Sequence, residues 1–406
     1  MAEASPFALA MRRFASRTGV RVGLTVLGLV VLSATYAPIL ATDIAWIWRD
    51  EAGLRFPVLV SLFNRRIYPH PHDLLFNLVA VLLPFLMAGW FALRRRWSVL
   101  RRLLVTAAVV VGAFGLCHLP ALPRGDTRVP LWADRPAPTE IASDLHEGIV
   151  RADLAVFAPI PHRVDSTYAG AVLKEPLTRN PATGARFWLG TDVRGHDVAA
   201  QMLFGARISL TIGFVATGIS MLIGTLIGAA SGYFGGKVDL ILQRLVEIML
   251  CFPTFVIVLT VVAMTSRSIF IIMVVLGLTG WAGIARLVRG EFLAHAVRDY
   301  VTAAQALGLG GWRIMLRHIL PNALTPLLIS ASFGIAGAVG TESGLAFLGL
   351  GDPNAPSWGL LLNQGRENIS YAWLIYVPGL AVFVLVMLLN LLGSALSEAL
   401  DPKQGN

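Results

Sequence analysis

Few side chains in this sequence stand where they could do covalent chemistry. A catalyst needs convergent groups, such as Ser with Lys, paired Asp or H-E-x-x-H, and none of these patterns occurs within the apolar stretches. Glu247 and Glu342 fall at or within such stretches, where an ionisable side chain is a functional candidate by default. Both stand near stretch ends, where water or a helix terminus satisfies a carboxylate. Glu342 is therefore expected to be a structural cap at an outer mouth. His70-Pro71-His72 offers two metal ligands without a third nearby, and Pro71 restricts the backbone between them. An interfacial pair is expected there, and no metal ligand is assigned. Asp192, Arg194 and Asp197 in LGTDVRGHD are spaced to form ion pairs that hold a loop. No G-x-x-x-x-G-K-[ST] phosphate loop is present. Gly308, Gly310 and Gly311 follow a helical pattern, not a strand, so they form no dinucleotide site. No catalytic residue is assigned.

The elements available to position these residues are apolar. Of 406 residues, 56% are hydrophobic and 14% charged, against about 25% charged in ordinary soluble domains. Eight apolar runs, at about 20–41, 74–93, 103–121, 208–232, 245–265, 269–287, 323–342 and 373–396, each reach the roughly 20 residues that a membrane crossing needs. The predicted fold is an all-α polytopic inner-membrane bundle. Cys117 and Cys251 lie inside these runs, which excludes a disulfide scaffold or Cys-rich zinc module. Run 20–41 exceeds a signal-peptide core and precedes no clear cleavage site, so the first helix is expected to be retained. Gly213, Gly218, Gly224, Gly228 and Gly232 recur along the fourth run, at spacings that let helices approach closely in lipid.

Lys and Arg beside the runs set their orientation. Arg12, Arg13, Arg17 and Arg21 precede the first run, and Arg94, Arg95, Arg96, Arg101 and Arg102 crowd the turn between the second and third. Both termini and 286–322 are therefore placed in the cytoplasm, with 42–73 and 122–207 outside. The tight cluster outweighs Arg49, Arg55, Arg65 and Arg66, which are spread through an outside segment. The net charge of +9 reads as membrane topology, with no nucleic-acid partner. Segment 122–207 is proline-rich and without period, and is expected to be an extended loop packed on the bundle or on a partner. In 288–322, Leu293, Val297, Tyr300, Ala304 and Leu307 form one apolar helical face. Glycines then stop that helix, and a second helix over 312–320 ends before Pro321. The pair either lies on lipid or docks into a cytoplasmic partner.

YVTAAQALGLGGWRIMLRHILPN resembles the EAA coupling loop of bacterial ABC importer permeases. The resemblance sets Ala303 and Ala304 on the motif alanines, Gly308 on its glycine and Leu320-Pro321 on its end, while Thr302 stands where the family usually has Glu. FWLGTDVRGHDVAAQMLFGARISLTIG, SGYFGGKVDLILQRLVEIMLCFP, TGWAGIARLVRGEFL, ESGLAFLGLGDPNAPSWGLLLNQGR and NLLGSALSEALDP are similar, in that order, to the dipeptide/oligopeptide/nickel permease family. The similarity covers about 187–402 and the first helix. It implies a type I importer permease, a subunit without its own ATPase. Its partners would be a second permease, two cytoplasmic ATPases that bind ATP and Mg, and an extracytoplasmic solute-binding protein. Asp192, Arg194 and Asp197 would then be contacts for that binding protein. The expected organisation is 1–41 (N-terminus and first helix), 42–121 (an insertion with two helices), 122–207 (the outer loop) and 208–406 (the core permease). Peptides are the expected cargo. Nickel or another small solute is the alternative, and an ion-coupled carrier is the rival from another class.

Overall fold

The computed structural model describes residues 13–51, 53–93, 97–124, 127–135, 138 and 141–400, of which 99, 100, 120–124 and 127–129 are described by backbone alone. Arg12, Arg94, Arg95 and Arg96 lie outside the described residues. The apolar runs fold as α1 (Thr18–Thr35), α2 (Pro71–Ala92), α3 (Val99–Leu116), α4 (Val198–Phe234), α5 (Gly236–Cys251), α6 (Thr254–Met264), α7 (Ile269–Ala296), α9 (Leu320–Phe347) and α11 (Trp373–Leu400), numbering helices of eight residues or more. Between them come α8 (Asp299–Ala306) and α10 (Trp358–Glu367). Among the described residues, six helical segments are long and apolar enough to cross a membrane, and the pair α5–α6 forms a seventh that is bent by 76°. This is an all-α polytopic membrane protein. Run 245–265, expected as one helix, is broken at Phe252-Pro253. Phe252 is extended at ψ 130°, as a residue before proline prefers.

The chain forms two compact units. The first comprises Met1–Gly28, Ser209–Glu367 and Pro378–Asn406. Its glycines explain how α4 meets α7. A Cβ built on Gly224 would lie 2.7 Å from Ile284 Cβ, and one on Gly232 would lie 2.7 Å from the Arg289 carbonyl. Gly228, one turn from each, faces Ala285 and Val288. Gly218 meets nothing within 4 Å, so it is no part of this seam. Asp239 of α5 then accepts both arms of Arg289 of α7, at 2.6 and 2.7 Å.

The second unit comprises Leu29–Ile208 and Asn368–Val377. Its segment 122–207 is mostly irregular, as its prolines require, yet it shares a core with 37–68. Ile44, Val58, Tyr68 and Phe204 are buried together, with Ile141 and Ile160 packed on them. Strand β1 (Ile47–Asp50) pairs antiparallel with β2 (Gly53–Arg55) and with β5 (Leu154–Val156), while β3 (Pro120–Arg124) and β4 (Thr127–Pro130) form a separate ribbon. Arg207 of α4 is fully buried here. It donates to the carbonyls of Ala34 and Thr35 at 2.6 and 2.9 Å, and to Asp73 of α2 at 3.2 Å. The faces of Phe76 and Phe204 flank it.

Candidate functional site

The loop between α7 and α9 is held by a small apolar core of its own. Val301 and Ala304, one turn apart on α8, pack against Phe292, Ile314, Met315 and Ile319, and the cluster reaches Ala229 of α4. The expected continuous face from Leu293 to Leu307 does not form. Helix α7 ends at Ala296, Arg298 is extended at ψ 150°, and α8 restarts with Asp299 in its first turn, where the helix dipole favours an acid. This break turns the expected stripe outward: Val297 and Leu307 are each 81% exposed, and Leu293 and Tyr300 are exposed as well.

Gly308 closes α8 in a Schellman motif. The Gly308 N–H donates to the Gln305 carbonyl at 2.9 Å and the Leu309 N–H to Ala304 at 3.2 Å, while Leu309 packs on the cluster that holds Ala304. The motif needs a left-handed residue, and Gly308 has φ +74°. Gly310 and Gly311 have ordinary φ; Gly311 instead lets Tyr233 approach. The turn that follows, expected to stop before Pro321, continues. Residues Gly311–Ile314 are α-helical, Met315–Ile319 form a π-turn, and α9 starts at Leu320 with Pro321 in its first turn. Proline is tolerated there because a first-turn N–H has no helical partner to lose. Of the residues assigned to the loop motif, Ala304 is buried in the cluster, Leu320 is half-buried, and Thr302, Ala303, Gly308 and Pro321 are exposed. Trp312, 60% exposed and edge-on to Phe234, adds to the exposed apolar face, although the sequence marks it only as the start of the second helix. Its signal was a tryptophan directly after the helix-stopping glycines.

Within the first unit, α4, α6, α7 and α9 line a cavity of about 400 Å³. Thr217, Ser220, Thr254, Ser330 and Thr341 give it hydroxyls, and Gly280, Gly283, Gly334 and Gly337 leave bare backbone. Ser220 donates to the Gly277 carbonyl at 2.8 Å, whereas the buried Thr217 hydroxyl has no hydrogen-bond partner. Periodicity could not reveal this wall, because its residues come from four helices.

Asp192 and Asp197 hold their own loop. Asp192 Oδ1 accepts the N–H groups of Arg194 and His196, each at 2.8 Å, and Oδ2 accepts Gln201 at 2.9 Å. Asp197 Oδ1 takes the Ala200 N–H at 2.7 Å, capping α4. Both acids are buried, and of the three predicted contact residues only Arg194 is exposed. His196 and the bonds to Asp192 hold that carboxyl below the usual range despite burial, while burial pushes Asp197 up to about 7. Glu247 is exposed and pairs with Arg244 at 2.6 Å. Glu342, expected as a cap, sits inside α9 instead, buried beside Ser343 and Ser357. His70 and His72 stack with ring centres 5.2 Å apart. Among the described residues, no three His, Cys, Asp or Glu side chains are grouped to hold a metal.

Residues 224–406 match the family of binding-protein-dependent transport system inner membrane components. The chain is 40% identical over 218 residues to the peptidoglycan transport system permease protein YejE of Agrobacterium fabrum, covering 53% of this chain and 57% of that protein. It is 34% identical to the dipeptide transport system permease protein DppC of Alkalihalophilus pseudofirmus, over 62% of this chain and 81% of that one. With the oligopeptide transport system permease protein OppC of Haemophilus influenzae it shares 37% identity, over 56% and 74% respectively. A solved chain of the MetNI methionine ABC transporter superposes with a TM-score of 0.42 at 20% identity, over 50% of this chain and 96% of that one.

Proposed function

Because the chain belongs to the family of binding-protein-dependent transport system inner membrane components, we propose that it is the permease subunit of an ATP-driven importer for peptides or peptide-like solutes. Two cytoplasmic ATPases, which bind ATP and Mg, supply the energy; a second permease completes the path, and an extracytoplasmic binding protein delivers the solute. The peptide assignment draws on the relatives named for dipeptide and oligopeptide transport. It also draws on the cavity: hydroxyls and bare glycine backbone offer hydrogen bonds without selecting one side chain. Such a wall suits a solute whose shared feature is its amide backbone.

The observation that carries the reading is the built end of α8. A two-turn helix is marginal alone, yet this one is fixed by a buried cluster and a capping motif while it presents Ala303, Leu307 and Trp312 outward. That is a rigid, apolar docking face. Close-packed interiors transmit strain, so a push on α8 passes through Val301 and Ala304 to Ile314 and Ala229.

The test is co-purification of the ATPase subunits together with peptide uptake. Ala303→Asp adds a charge to the exposed face, and Gly308→Asp adds one where a Cβ meets nothing of this chain within 4 Å. The left-handed backbone at Gly308 makes the second change cost only about 1 kcal/mol. Both variants should therefore insert and fold, lose the ATPases and lose uptake. Retained assembly and full uptake in Ala303→Asp would return the loop to a lipid-surface helix pair.

A further inference from the structure

The turn that joins α2 to α3 sets two cations on aromatic rings with no anion beside them. Ser98 caps α3 by accepting the Arg101 N–H at 3.3 Å, so Arg101 and Arg102 fall in the first turn of that helix. There the guanidinium of Arg101 lies over Trp97, and that of Arg102 over Trp90 of α2, each 4.5 Å from the ring centre. A ring face attracts the charge but takes none of its N–H donors. Arg102 spends one donor on the Trp90 carbonyl at 3.4 Å, and its covered Nε has no partner. Arg101 is exposed. No Asp or Glu occurs between Asp73 and Asp126, and among the described residues neither guanidinium has a carboxylate partner.

Both cations also stand at the positive end of the α3 dipole, an arrangement that an anion relieves. The surrounding residues say what carries that anion. Leu103 and Leu104, next along α3, and Met87 and Phe91 near the end of α2 are exposed, so an apolar surface begins directly beside the charges. Arginine is expelled from hydrocarbon and tryptophan favours the membrane–water boundary. The turn therefore stands at the depth of phospholipid phosphates, with the apolar residues against acyl chains. A soluble anion would meet the charges alone, whereas a phospholipid meets both surfaces, and basic pockets between spanning helices suit anionic headgroups.

We propose that this turn binds the phosphate headgroup of an anionic phospholipid, with Arg101 and Arg102 as its ligands and their tryptophans holding the guanidinium groups in place. The α2–α3 hairpin is then a lipid-anchoring element. Such a site serves in either leaflet and does not depend on what the chain transports.

Native mass spectrometry of the full-length chain in neutral detergent, titrated with phosphatidylglycerol or phosphatidylcholine of the same acyl chains, reads the binding. The wild-type chain should take phosphatidylglycerol at least tenfold more tightly. Arg101→Gln with Arg102→Gln should weaken phosphatidylglycerol about tenfold or more, since one basic residue at the membrane surface is worth about fivefold. Phosphatidylcholine, whose own cation neutralises its phosphate, should be nearly unaffected. Arg151→Gln with Arg179→Gln removes the same charge from exposed positions of the same unit and should change neither lipid. If the double variant at the turn fails to fold, Arg101→Gln alone decides, with an expected loss of about fivefold. Equal affinity of the wild-type chain for the two lipids, undiminished phosphatidylglycerol binding by the variant that folds, or an equal loss in the control pair would each overturn the assignment. So would displacement of the lipid by equimolar glycerol phosphate, which would mark a site for soluble anions, or by an acidic peptide, which would mark a protein contact.

Discussion

Asp197 and His162 carry opposite pH dependences within the second unit. Asp197 is fully buried and only Oδ1 has a partner, so its ionised form is poorly stabilised and its pKa stands near 7. Between the ordinary value of 3.8 and about 7, the folded chain holds a proton there that the unfolded chain releases. Its contribution is complete below 3.8 and is lost as pH rises through 7. Buried His162 has the reverse slope: burial lowers it from 6.5 to about 4, so stability is lost as pH falls from 6.5 towards 4. The two offset each other over most of that window, with Asp43, also raised by burial, acting in the same sense as Asp197. Asp197→Asn keeps an acceptor for the Ala200 N–H and removes the charge. Relative to the wild-type chain, this variant should gain stability steadily between pH 4 and 7, on the order of 2 kcal/mol or more by pH 8. Thermal unfolding followed by size exclusion at pH 5 and pH 8 checks it, and an unchanged difference between the two would refute the buried-charge account.

Helices are joined here by a few polar ties that composition hides. Arg207 links the end of α1, the start of α2 and the first turns of α4 through two carbonyls and Asp73. Removing one partner of a buried pair leaves a bare charge, at a cost of about 3–5 kcal/mol. Arg207→Met should therefore abolish a stable chain, while Arg207→Met with Asp73→Asn should recover a substantial part of the loss. Detergent-extracted yield and unfolding temperature of the two variants measure this, and equal damage in both would mean that the carbonyl bonds dominate over the pair. The same tie explains why the inserted helix α2 was legible as a span but not as an anchored one. An apolar run announces itself locally, whereas Asp73 and Arg207 are 134 residues apart. The second unit's core was hidden for the same reason: Ala41 bridges to Ile160 and Asn64 to Ala133, and no periodicity reports pairings of that length. In the loop, Gly308 was readable because its role is local. The break at Val297 was not, because the apolar spacing continues across it and only the backbone at Arg298 departs from helix. Pro321 was misread because proline after a helical stretch usually ends it, and here it opens the next helix.

Across the whole chain, the side of the membrane on which each segment lies follows from counting crossings, and polar contacts within the first unit check the count. Arg17 pairs with Glu398, so the start of α1 and the end of α11 share one end of that unit. Asp239 and Arg289 likewise bring the start of α5 to the end of α7. The Ile269 N–H donates to Asp352 at 3.3 Å, which sets the start of α7 beside the segment after α9. These pairings agree with eight crossings only if the bent pair α5–α6 counts as one span and α3 as another. Eight crossings predict the turn between α2 and α3 on the side of both termini. Arg101 stacks on Trp97 and Arg102 on Trp90, each 4.5 Å from the ring centre, as amphipathic rings and cations do at a membrane–water boundary. Arginine excess predicts that this boundary faces the cytoplasm. Cys251 is exposed and Cys117 buried, so a Cys251→Ser background leaves little intrinsic labelling. In that background Ser98→Cys should resist a membrane-impermeant maleimide applied to intact spheroplasts and react after permeabilisation. Thr167→Cys, exposed in the second unit, should react without permeabilisation. Reaction of Ser98→Cys from outside would invert α2 and α3 and with them the crossing count. Protection of Thr167→Cys in intact cells would instead move the second unit's loops to the cytoplasm.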